Sequence, residues 1–320
     1  MKGLLLCGGN DTKLASMKIT LPKQMLPIGN IPLTEYTIKS MVQAGIRSIG
    51  MVVGEDKGAF SSYFKDGRNF NCRIRYIEQP KPIGTANALL CAKDFLDDED
   101  FVMIFGDVYF EDSLCEHIQL FKRDKLDGLV LSKKVDNPWR YGVISVKDQK
   151  VIKIVEKPAV TASDLAATGI YIFRHPILKA AARIKPSPED GSYSLSNAIQ
   201  YLIEKEYRLS YSEISGEWCH VDTGKGLIEC NKLVNLREES KSCIAPDSQI
   251  VDSTLEDGSS IGSRCSIKDS FIKDSVIMDD CIINGIELYE SIVCKGCDIT
   301  GSGRVSGVFA ENTRILISPI

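Results

Sequence analysis

The first 27 residues contain the feature that most constrains the fold, an apolar run that ends at a pair of glycines. Leu4 to Leu6 is apolar and predicts a buried first strand, which breaks at Gly8 and Gly9 into a polar loop. Glycines directly after a strand let main-chain N–H groups approach a phosphate, because no Cβ stands in the way. Lys13 and Lys23 add positive charge to the same segment. The segment therefore predicts a nucleotide-phosphate loop.

Short apolar runs then alternate with helical patterns as far as residue 123. The predicted strands are 48–53, 73–77 and 101–105, and the predicted helices are 34–45, 59–64, 85–95 and 112–123. This alternation predicts a doubly wound, Rossmann-like α/β domain, in which helices cover both faces of a largely parallel sheet. Ligands of such a sheet bind beyond the carboxyl ends of its strands. The motifs described below fall at those ends.

Residues 128–173 are rich in strand patterns, with a hairpin turn predicted at 147–150. They are interpreted as an insertion beside the nucleotide-binding half. Further helices are predicted at 176–184, 195–205 and 224–236. The last of these is expected to close the first domain, which gives a boundary near residue 239.

The composition changes after residue 239, where helical spacing is lost and apolar residues recur every five or six positions. These residues are Ile244, Ile250, Leu255, Ile261, Ile267, Ile272 and Ile277. The spacing fits hexapeptide-type repeats of a left-handed β-helix, so we predict two domains, 1–239 and 240–320. Cys265, Cys281 and Cys297 recur at a 16-residue step, which predicts a stack of buried thiols. The CxxC at 294–297 lacks the second pair that a zinc site needs.

Composition excludes several function classes. A net charge of −4 argues against nucleic acid as a partner. No stretch approaches the ~20 apolar residues of a membrane span, and no signal peptide is recognised at the N-terminus. Eleven cysteines in such a chain predict reduced thiols and a cytoplasmic location. The three histidines have no serine or cysteine partner in a recognisable motif, which argues against nucleophilic catalysis.

Two acidic residues follow apolar segments that are far apart in the chain. Asp107 comes directly after the strand predicted at 101–105, and Asp222 lies in WCHVDTG at 218–224. Two convergent carboxylates can hold one Mg²⁺ against substrate phosphates, which is a common mode of binding for this ion. The alternative for each residue is an ordinary helix N-cap.

These motifs resemble those of the sugar-1-phosphate nucleotidyltransferases, and in particular the long glucose-1-phosphate thymidylyltransferases that carry a C-terminal β-helix. The family signature reads GGxGTRL and then PKxLxP, where this chain has GGNDTKL at 8–14 and PKQMLP at 22–27. The family's LGDN, EKP and DTG correspond to FGDV at 105–108, EKP at 156–158 and DTG at 222–224. The resemblance spans most of residues 1–240.

The resemblance implies that a sugar 1-phosphate attacks a nucleoside triphosphate to give a nucleotide sugar and pyrophosphate, with glucose 1-phosphate and dTTP or UTP favoured. It implies Mg²⁺ as the cofactor. A β-helix exposes flat sides and open ends that usually serve as an assembly surface, so we expect a homo-oligomer. The implied catalytic residues are Lys13 and Lys23. The implied nucleotide-binding residues are Leu6, Gly8, Gly9, Gln24, Gln79, Gly84 and Thr85. The implied sugar-phosphate residues are Gly142, Glu156, Lys157 and Thr168, and the implied metal ligands are Asp107 and Asp222.

Several positions depart from the family pattern. Asp11 replaces the third signature glycine, Lys13 replaces the arginine, and GSYSLSN at 191–197 replaces GELEITD. GTANAL at 84–89 resembles guanylyl and uridylyl relatives, so the base stays open. The alternative function is a weakly active or inactive regulatory paralogue of the same fold. An acyltransferase is disfavoured because no histidine follows His220.

The double change Asp11→Gly with Lys13→Arg should tighten triphosphate binding. Arginine restores the planar fork that grips two phosphate oxygens, and glycine removes a carboxylate from an anionic ligand's site. We expect a gain of at least tenfold, about 1.4 kcal/mol, in calorimetric titrations with the nucleotide. Asp148→Gly with Lys147→Arg makes the same two changes in the predicted hairpin turn and should leave the affinity unchanged. A restored loop that binds nucleotide yet releases no pyrophosphate would favour the regulatory paralogue.

Overall fold

The computed structural model describes residues 1–9, 19–188, 190–237 and 242–318. The α-helices of this part are α1 (Leu33–Gln43), α2 (Lys57–Phe64), α3 (Thr85–Cys91), α4 (Lys93–Leu96), α5 (Leu114–Arg123), α6 (Pro176–Ala181), α7 (Leu195–Glu204) and α8 (Gly224–Leu236). Short 3-10 helices occur at Lys23–Met25, Arg68–Phe70 and Pro138–Arg140.

The β-strands of the first half are β1 (Lys2–Cys7), β2 (Pro27–Ile28), β3 (Ile31–Pro32), β4 (Ser48–Val53), β5 (Arg73–Glu78), β6 (Phe101–Phe105), β7 (Val108–Phe110), β8 (Gly128–Lys134), β9 (Gly142–Lys147), β10 (Lys150–Glu156), β11 (Leu165–Phe173), β12 (Leu209–Glu213) and β13 (Trp218–His220). Those of the second half are β14 (Cys243–Ile244), β15 (Gln249–Val251), β16 (Thr254–Leu255), β17 (Ser260–Ile261), β18 (Ser266–Lys268), β19 (Phe271–Lys273), β20 (Val276–Ile277), β21 (Ile282–Val293), β22 (Asp298–Phe309) and β23 (Arg314–Ile317).

The chain divides into two compact units. The first contains residues 1–10 and 36–218, and the second contains residues 11–35 and 219–320. This division differs from the boundary expected near residue 239, because the segment before α1 and the whole of α8 group with the C-terminal strands. The physical reason lies in the buried polar contacts of α8, described below.

The first unit is built on a nine-stranded sheet in which β1 is a central strand. The strand order is β5-β4-β1-β6-β11-β8-β12-β10-β9, and β5, β4, β1 and β6 are parallel. Leu5 of β1 pairs with Met51 of β4 and with Ile104 of β6, and all three are fully buried. Strands buried on both faces read as continuous apolar runs. The predicted Rossmann-like α/β domain is confirmed.

The other half of this sheet is mostly antiparallel. β11 pairs with β6 and β8, and β9 pairs with β10 in a hairpin. Asp148 and Gln149 form its turn, with φ of 49° and 62°. Positive φ at both central residues is the turn geometry that matches strand twist. The hairpin turn predicted at 147–150 is therefore confirmed.

The second unit contains parallel ladders that repeat about every 16 residues. Along one ladder Ile250 pairs with Ile267, Ile283 follows, and Ile299 pairs with Ile315. Ile267, Ile283 and Ile299 are buried in a common cluster. Ile244, the first of the apolar repeat positions identified in the sequence, is not part of this core, because its side chain is 44% exposed. It lies in the terminal strand of its ladder, where Ile261 is its strand neighbour.

The predicted stack of thiols is present at one edge of these ladders. Cys265, Cys281 and Cys297 are buried and donate to the carbonyl oxygens of Met278, Cys294 and Ala310 at 3.1, 3.2 and 3.0 Å. Within the described part of the chain, no group of three or more histidines, cysteines and acids is placed to hold a metal ion. Neighbouring coils therefore use these thiols to satisfy main-chain acceptors.

The expectation that all thiols are reduced is wrong at one pair. Cys219, in β13, and Cys230, in α8, form a disulfide with their Cα atoms 5.9 Å apart. The number of cysteines carries no information on which thiols become neighbours. The pair is joined because β13 and α8 flank the Asp222 turn.

Two asparagines on one face of α8 account for its place in the second unit. Asn231 donates to Gly258 O at 2.8 Å, and its side-chain oxygen accepts from Gly29 N at 2.9 Å and Ser260 Oγ at 2.7 Å. Asn235 donates to Ser259 O at 3.0 Å. Both asparagines are fully buried. The side-chain oxygen of Asn235 is buried without a hydrogen-bond partner among the described residues. The hydrogen bonds of Asn231 and of Asn235 Nδ2 offset the cost of burying these amides, so α8 depends on this strand surface.

Among the described residues, no helix is both long and apolar enough to cross a membrane.

Asn231→Ala should destabilise the second unit by about 3 kcal/mol, because three buried hydrogen bonds are lost and their partners stay buried. Urea unfolding, followed by circular dichroism, measures this loss. Lys225→Ala, at an exposed position of the same helix, should change stability by less than about 0.5 kcal/mol. Equal stabilities for the two variants would show that the Asn231 contacts do not hold α8 in place.

Candidate active site

The carboxyl end of β1 places the predicted glycine pair at the edge of the parallel sheet. Leu6 is buried, and its carbonyl oxygen accepts from Gly106 N at 2.9 Å, which aligns the ends of β1 and β6. Gly9 has φ of +125°, a conformation that favours glycine. The rest of the predicted phosphate loop, with Asp11 and Lys13, lies outside the described residues.

Gln79 lies against this glycine pair with its amide in a fixed orientation. The side chain is 5% exposed, and its Nε2 donates to Gly84 O at 3.2 Å and to Asn87 Oδ1 at 2.9 Å. Both N–H groups are thereby used, so the amide oxygen is the group that faces Gly8. A Cβ on Gly8 would lie 2.7 Å from that oxygen. A side chain at position 8 would therefore have to displace the hydrogen-bonded amide of Gln79.

The loop that carries Gly84 and Thr85 is paired with the segment before α7. Tyr193 N donates to Ile83 O, and Tyr193 O accepts from Ala86 N, both at 2.8 Å. A Cβ on Gly84 would lie 2.4 Å from Tyr193 O, so contact with the chain itself requires glycine at this position. Thr85 Oγ1 accepts from Leu195 N at 2.9 Å. The predicted roles of Gly84 and Thr85 in base binding stay predictions.

Gly142 and Glu156 meet across the β9–β10 hairpin and are joined by a third residue. Glu156, the last residue of β10, pairs in register with Gly142. Ser196 Oγ, from the first turn of α7, donates to Glu156 Oε2 at 2.6 Å. A Cβ on Gly142 would lie 3.2 Å from both of these oxygens. The structure thus brings together two of the predicted sugar-site residues and adds Ser196.

Lys157, directly after β10, and Thr168, in β11, are connected through aromatic residues. Lys157 N donates to Tyr141 O at 3.0 Å, with the lysine at φ of 42°. The Tyr141 ring meets the Trp218 ring edge-on at 5.2 Å, and Trp218 Nε1 donates to Thr168 O at 3.0 Å. The Thr168 hydroxyl donates to Leu131 O at 2.8 Å. These bonds fix the backbone on which the exposed Lys157 side chain stands.

The charge of Glu156 also acts on a buried phenol. Tyr171 in β11 is 4% exposed, and burial together with the nearby Glu156 carboxylate raises its pKa far above the ordinary value. The Tyr171 ring stacks on Phe173 at 5.6 Å. Both effects disfavour the ionised form of the phenol.

The two predicted metal ligands are acids that do not cap helices. Asp107 is 7% exposed in the turn between β6 and β7, and the N-cap of the following helix α5 is Ser113, which accepts from Cys115 N. The N-cap of α8 is Thr223, whose Oγ1 accepts from Gly226 N at 3.1 Å, and Asp222 precedes it. The ordinary alternative, an N-cap role for each acid, is therefore excluded.

The remaining predicted residues belong to the second unit. Lys23 and Gln24 form a short 3-10 helix after Pro22, and Gln24 is buried. Thr34 Oγ1 donates to Gln24 O at 2.8 Å, which fixes the PKQ segment onto the start of α1. Asp222 belongs to the same unit, whereas Asp107 belongs to the first.

Comparison with known proteins decides the family. Residues 2–236 match the protein family described as Nucleotidyl transferase. The chain belongs to this family. The resemblance noted from the sequence is therefore confirmed, and residues 2–236 form a nucleotidyltransferase domain.

Two relatives illustrate how far the similarity extends. Glucose-1-phosphate thymidylyltransferase of Streptomyces griseus is 30% identical, and the match covers 100% of this chain and 94% of that protein. The low-salt glycan biosynthesis nucleotidyltransferase Agl11 of Haloferax volcanii is 34% identical over 80% of this chain and 72% of that protein. The first match includes the C-terminal strands of the second unit.

A solved structure agrees with this assignment. A putative glucose-1-phosphate thymidylyltransferase from Bacillus anthracis, crystallised with sucrose, superposes with a TM-score of 0.68 at 30% identity. It covers 73% of this chain and 94% of the other. UDP-glucose pyrophosphorylase, solved with UDP-glucose, has the same TM-score at 23% identity, which supports the fold alone.

A serine, a histidine and an aspartate do meet in this family member, although sequence reasoning found no such group. His117 Nδ1 lies 2.9 Å from Ser212 Oγ, and His117 Nε2 lies 3.9 Å from Asp112 Oδ2. Asp112 already accepts from Ser215 N at 2.9 Å and Gly216 N at 2.6 Å. The ring is buried and too far from the carboxylate for a hydrogen bond. The group anchors the segment before Trp218.

Sequence reasoning missed Ser196, Asn87 and Tyr193, which hold Glu156, Gln79 and Gly84 in place. A signal for Ser196 was present, because it occupies the threonine position of the GELEITD pattern. No local signal marks Tyr193, since its contact joins segments more than one hundred residues apart.

His117 should make stability depend on pH in a window below its ordinary pKa of about 6.5. Burial lowers the pKa of His117 more than Asp112 and Glu116 raise it. As the pH falls, His117 therefore binds a proton at a higher pH in the unfolded chain than in the folded protein. The free energy of unfolding decreases as the pH falls from about 6.5 toward the pKa of His117 in the folded state. The free energy of unfolding, measured in urea across this window, should depend more steeply on pH in the wild-type protein than in His117→Asn. The difference in slope should reach up to about 1.4 kcal/mol per pH unit.

Ser212→Ala is the matched control for this pH dependence. It removes the hydrogen bond to the ring but keeps the histidine, so the slope should persist while the overall stability falls. Equal slopes for the wild-type protein and His117→Asn would show that another group titrates in this window.

Proposed function

We propose that this chain is a sugar-1-phosphate nucleotidyltransferase that joins glucose 1-phosphate to the nucleotidyl group of dTTP or UTP. A phosphate oxygen of the sugar phosphate attacks the α-phosphorus, the bond to the β-phosphate bridging oxygen breaks, and pyrophosphate leaves. The attacking phosphate is ionised near neutral pH, so the reaction needs positioning and charge neutralisation rather than an enzyme nucleophile.

The observation that carries the proposal is the cluster of Gly142, Glu156 and Ser196 beside Lys157. The Glu156 carboxylate has one oxygen held by Ser196 and another with acceptor capacity for sugar hydroxyls. Lys157 follows Glu156 directly and has an exposed side chain that can reach a phosphate. A sugar 1-phosphate has hydroxyl groups at one end and a phosphate at the other. The Glu156 carboxylate can accept from the hydroxyls, and the Lys157 ammonium can bind the phosphate.

The orientation of Gln79 supports a base that offers an N–H group. Both amide hydrogens are used within the loop, which leaves the side-chain oxygen as an acceptor toward Gly8. Thymine and uracil each have one ring N–H on the pairing edge, whereas the ring nitrogen of cytosine there is an acceptor. This favours dTTP or UTP over CTP.

Asp107 and Asp222 would hold Mg²⁺, with Lys13 and Lys23 as the cations that bind the triphosphate. The donor set fits, because carboxylate oxygens are the ligands of this ion and its other positions are commonly filled by water and phosphate. Neither acid is used as a helix cap. The ion would neutralise the charge that develops on the leaving pyrophosphate.

The catalytic assignment concerns residues 1–239, and we propose that residues 240–320 form the left-handed β-helix. The 16-residue parallel repeats and the buried isoleucines support that assignment. We further propose that the enzyme acts in the cytoplasm as a homo-oligomer assembled through this segment. Light scattering on the intact chain measures the assembly.

Asp107→Asn and Asp222→Asn should each lower kcat by roughly 10²–10³-fold, since each removes a charged metal ligand. Coupled release of pyrophosphate from dTTP or UTP with glucose 1-phosphate measures the rate, with Mg²⁺ varied. Asp98→Asn, at an exposed carboxylate beside His175, is the matched control and should keep full activity. Full activity in Asp222→Asn would rule out a metal shared by the two acids. Absence of turnover by the wild-type chain with every nucleotide and sugar phosphate would overturn the proposed function.

A further inference from the structure

We propose that Ser196 is a positioning residue for sugar recognition, which fixes the Glu156 carboxylate so that its other oxygen meets a hydroxyl of the sugar 1-phosphate. The inference rests on the proposed function and extends it to a residue outside the EKP motif. Ser196 acts through Glu156, and the hydrogen bond between them is the feature from which the role follows.

The bond is short and comes from a well-buried donor. Ser196 is 5% exposed, and its Oγ donates to Glu156 Oε2 at 2.6 Å. Glu156 by contrast is an exposed residue at the end of β10. A glutamate in that position would sample several side-chain rotamers in water, and a charge-assisted hydrogen bond selects one of them.

Ser196 is itself held by the segment before α7. Ser194 is the N-cap of α7, and its side chain accepts from Ser196 N at 3.1 Å. The preceding Tyr193 is paired on both sides with the loop that holds Ile83 and Ala86. The hydroxyl of Ser196 therefore projects from a backbone that is fixed by several hydrogen bonds, as a positioning residue requires.

The pair also depends on the absence of a side chain at position 142. A Cβ there would lie 3.2 Å from Glu156 Oε2 and from Ser196 Oγ, closer than ordinary carbon–oxygen contacts. Gly142 thus leaves the space in which the bonded pair sits. Gly142→Ala and Ser196→Ala should disturb the same interaction by different means.

The test uses the full-length chain and separates positioning from stability. In Ser196→Ala the KM for glucose 1-phosphate should rise about tenfold, the effect of one charge-assisted hydrogen bond, while the KM for the nucleotide stays within about twofold. Gly142→Ala should raise the same KM. Ser196→Thr keeps the hydroxyl and should restore the KM to within about threefold of the wild-type value.

Ser210→Ala is the matched control for the loss of a serine hydroxyl. Ser210 Oγ donates to Gln149 O at the same distance of 2.6 Å, in the β9–β10 turn, so its removal deletes a similar bond away from Glu156. Its KM values should equal those of the wild-type protein. The ¹³C carboxyl signal of Glu156, assigned with Glu156→Gln in ligand-free protein, should shift in Ser196→Ala and not in Ser210→Ala.

The outcomes separate the two hypotheses. Wild-type turnover with unchanged KM values in Ser196→Ala would overturn the role of Ser196 and leave the proposed function intact. An unchanged Glu156 signal in that variant would overturn the positioning interaction whether or not the enzyme turns over. A wild-type chain that neither binds nor converts any sugar 1-phosphate would overturn the proposed function, and the role of Ser196 with it.

Discussion

The hydrogen bonds of residues 193–196 are the interaction on which the predicted site of the first unit depends. Tyr193 and Leu195 fasten this segment to the loop after Gln79, and Ser196 then fastens it to Glu156. One short stretch of backbone therefore fixes residues that are predicted to bind the nucleotide and residues that are predicted to bind the sugar phosphate. A shift of this stretch would move both sides together, because every one of these bonds is direct and involves backbone or a short side chain.

These contacts give a structural role to some of the residues at 192–197 that differ from the family pattern. Glutamate at position 194 would have to cap α7 with a long side chain, whereas Ser194 caps it in the geometry that serine favours. Ser192 N is bound by Asp190 Oδ1 at 2.9 Å, which shapes the turn before the helix. The Ser194 hydroxyl is therefore a structural part of this segment, whereas the bond at Ser192 uses the backbone and does not depend on serine.

The sequence predicts the parts of this molecule that depend on local pattern. The run at Leu4 to Leu6 and the turn at 147–150 are specified by neighbouring residues, and both were predicted. The contact between Gly84 and Tyr193 depends on segments that meet only after folding, so no local pattern reveals it. The grouping of α8 with the C-terminal strands was also missed. A signal existed in two asparagines four residues apart on one helical face, which is an unusual choice unless both are buried against partners.

Residues other than Asp107 and Asp222 cap the helices that follow these two acids, so a role in the reaction can be considered for them. A helix start after a strand is a common place for aspartate, because the side chain satisfies an exposed amide and the helix dipole favours the charge. Here Ser113 and Thr223 fill those positions at α5 and α8. Asp107 therefore lies at the end of a buried strand without acting as a helix cap. The metal role proposed for the two acids is compatible with the way α5 and α8 begin, because neither helix uses these carboxylates at its N-cap.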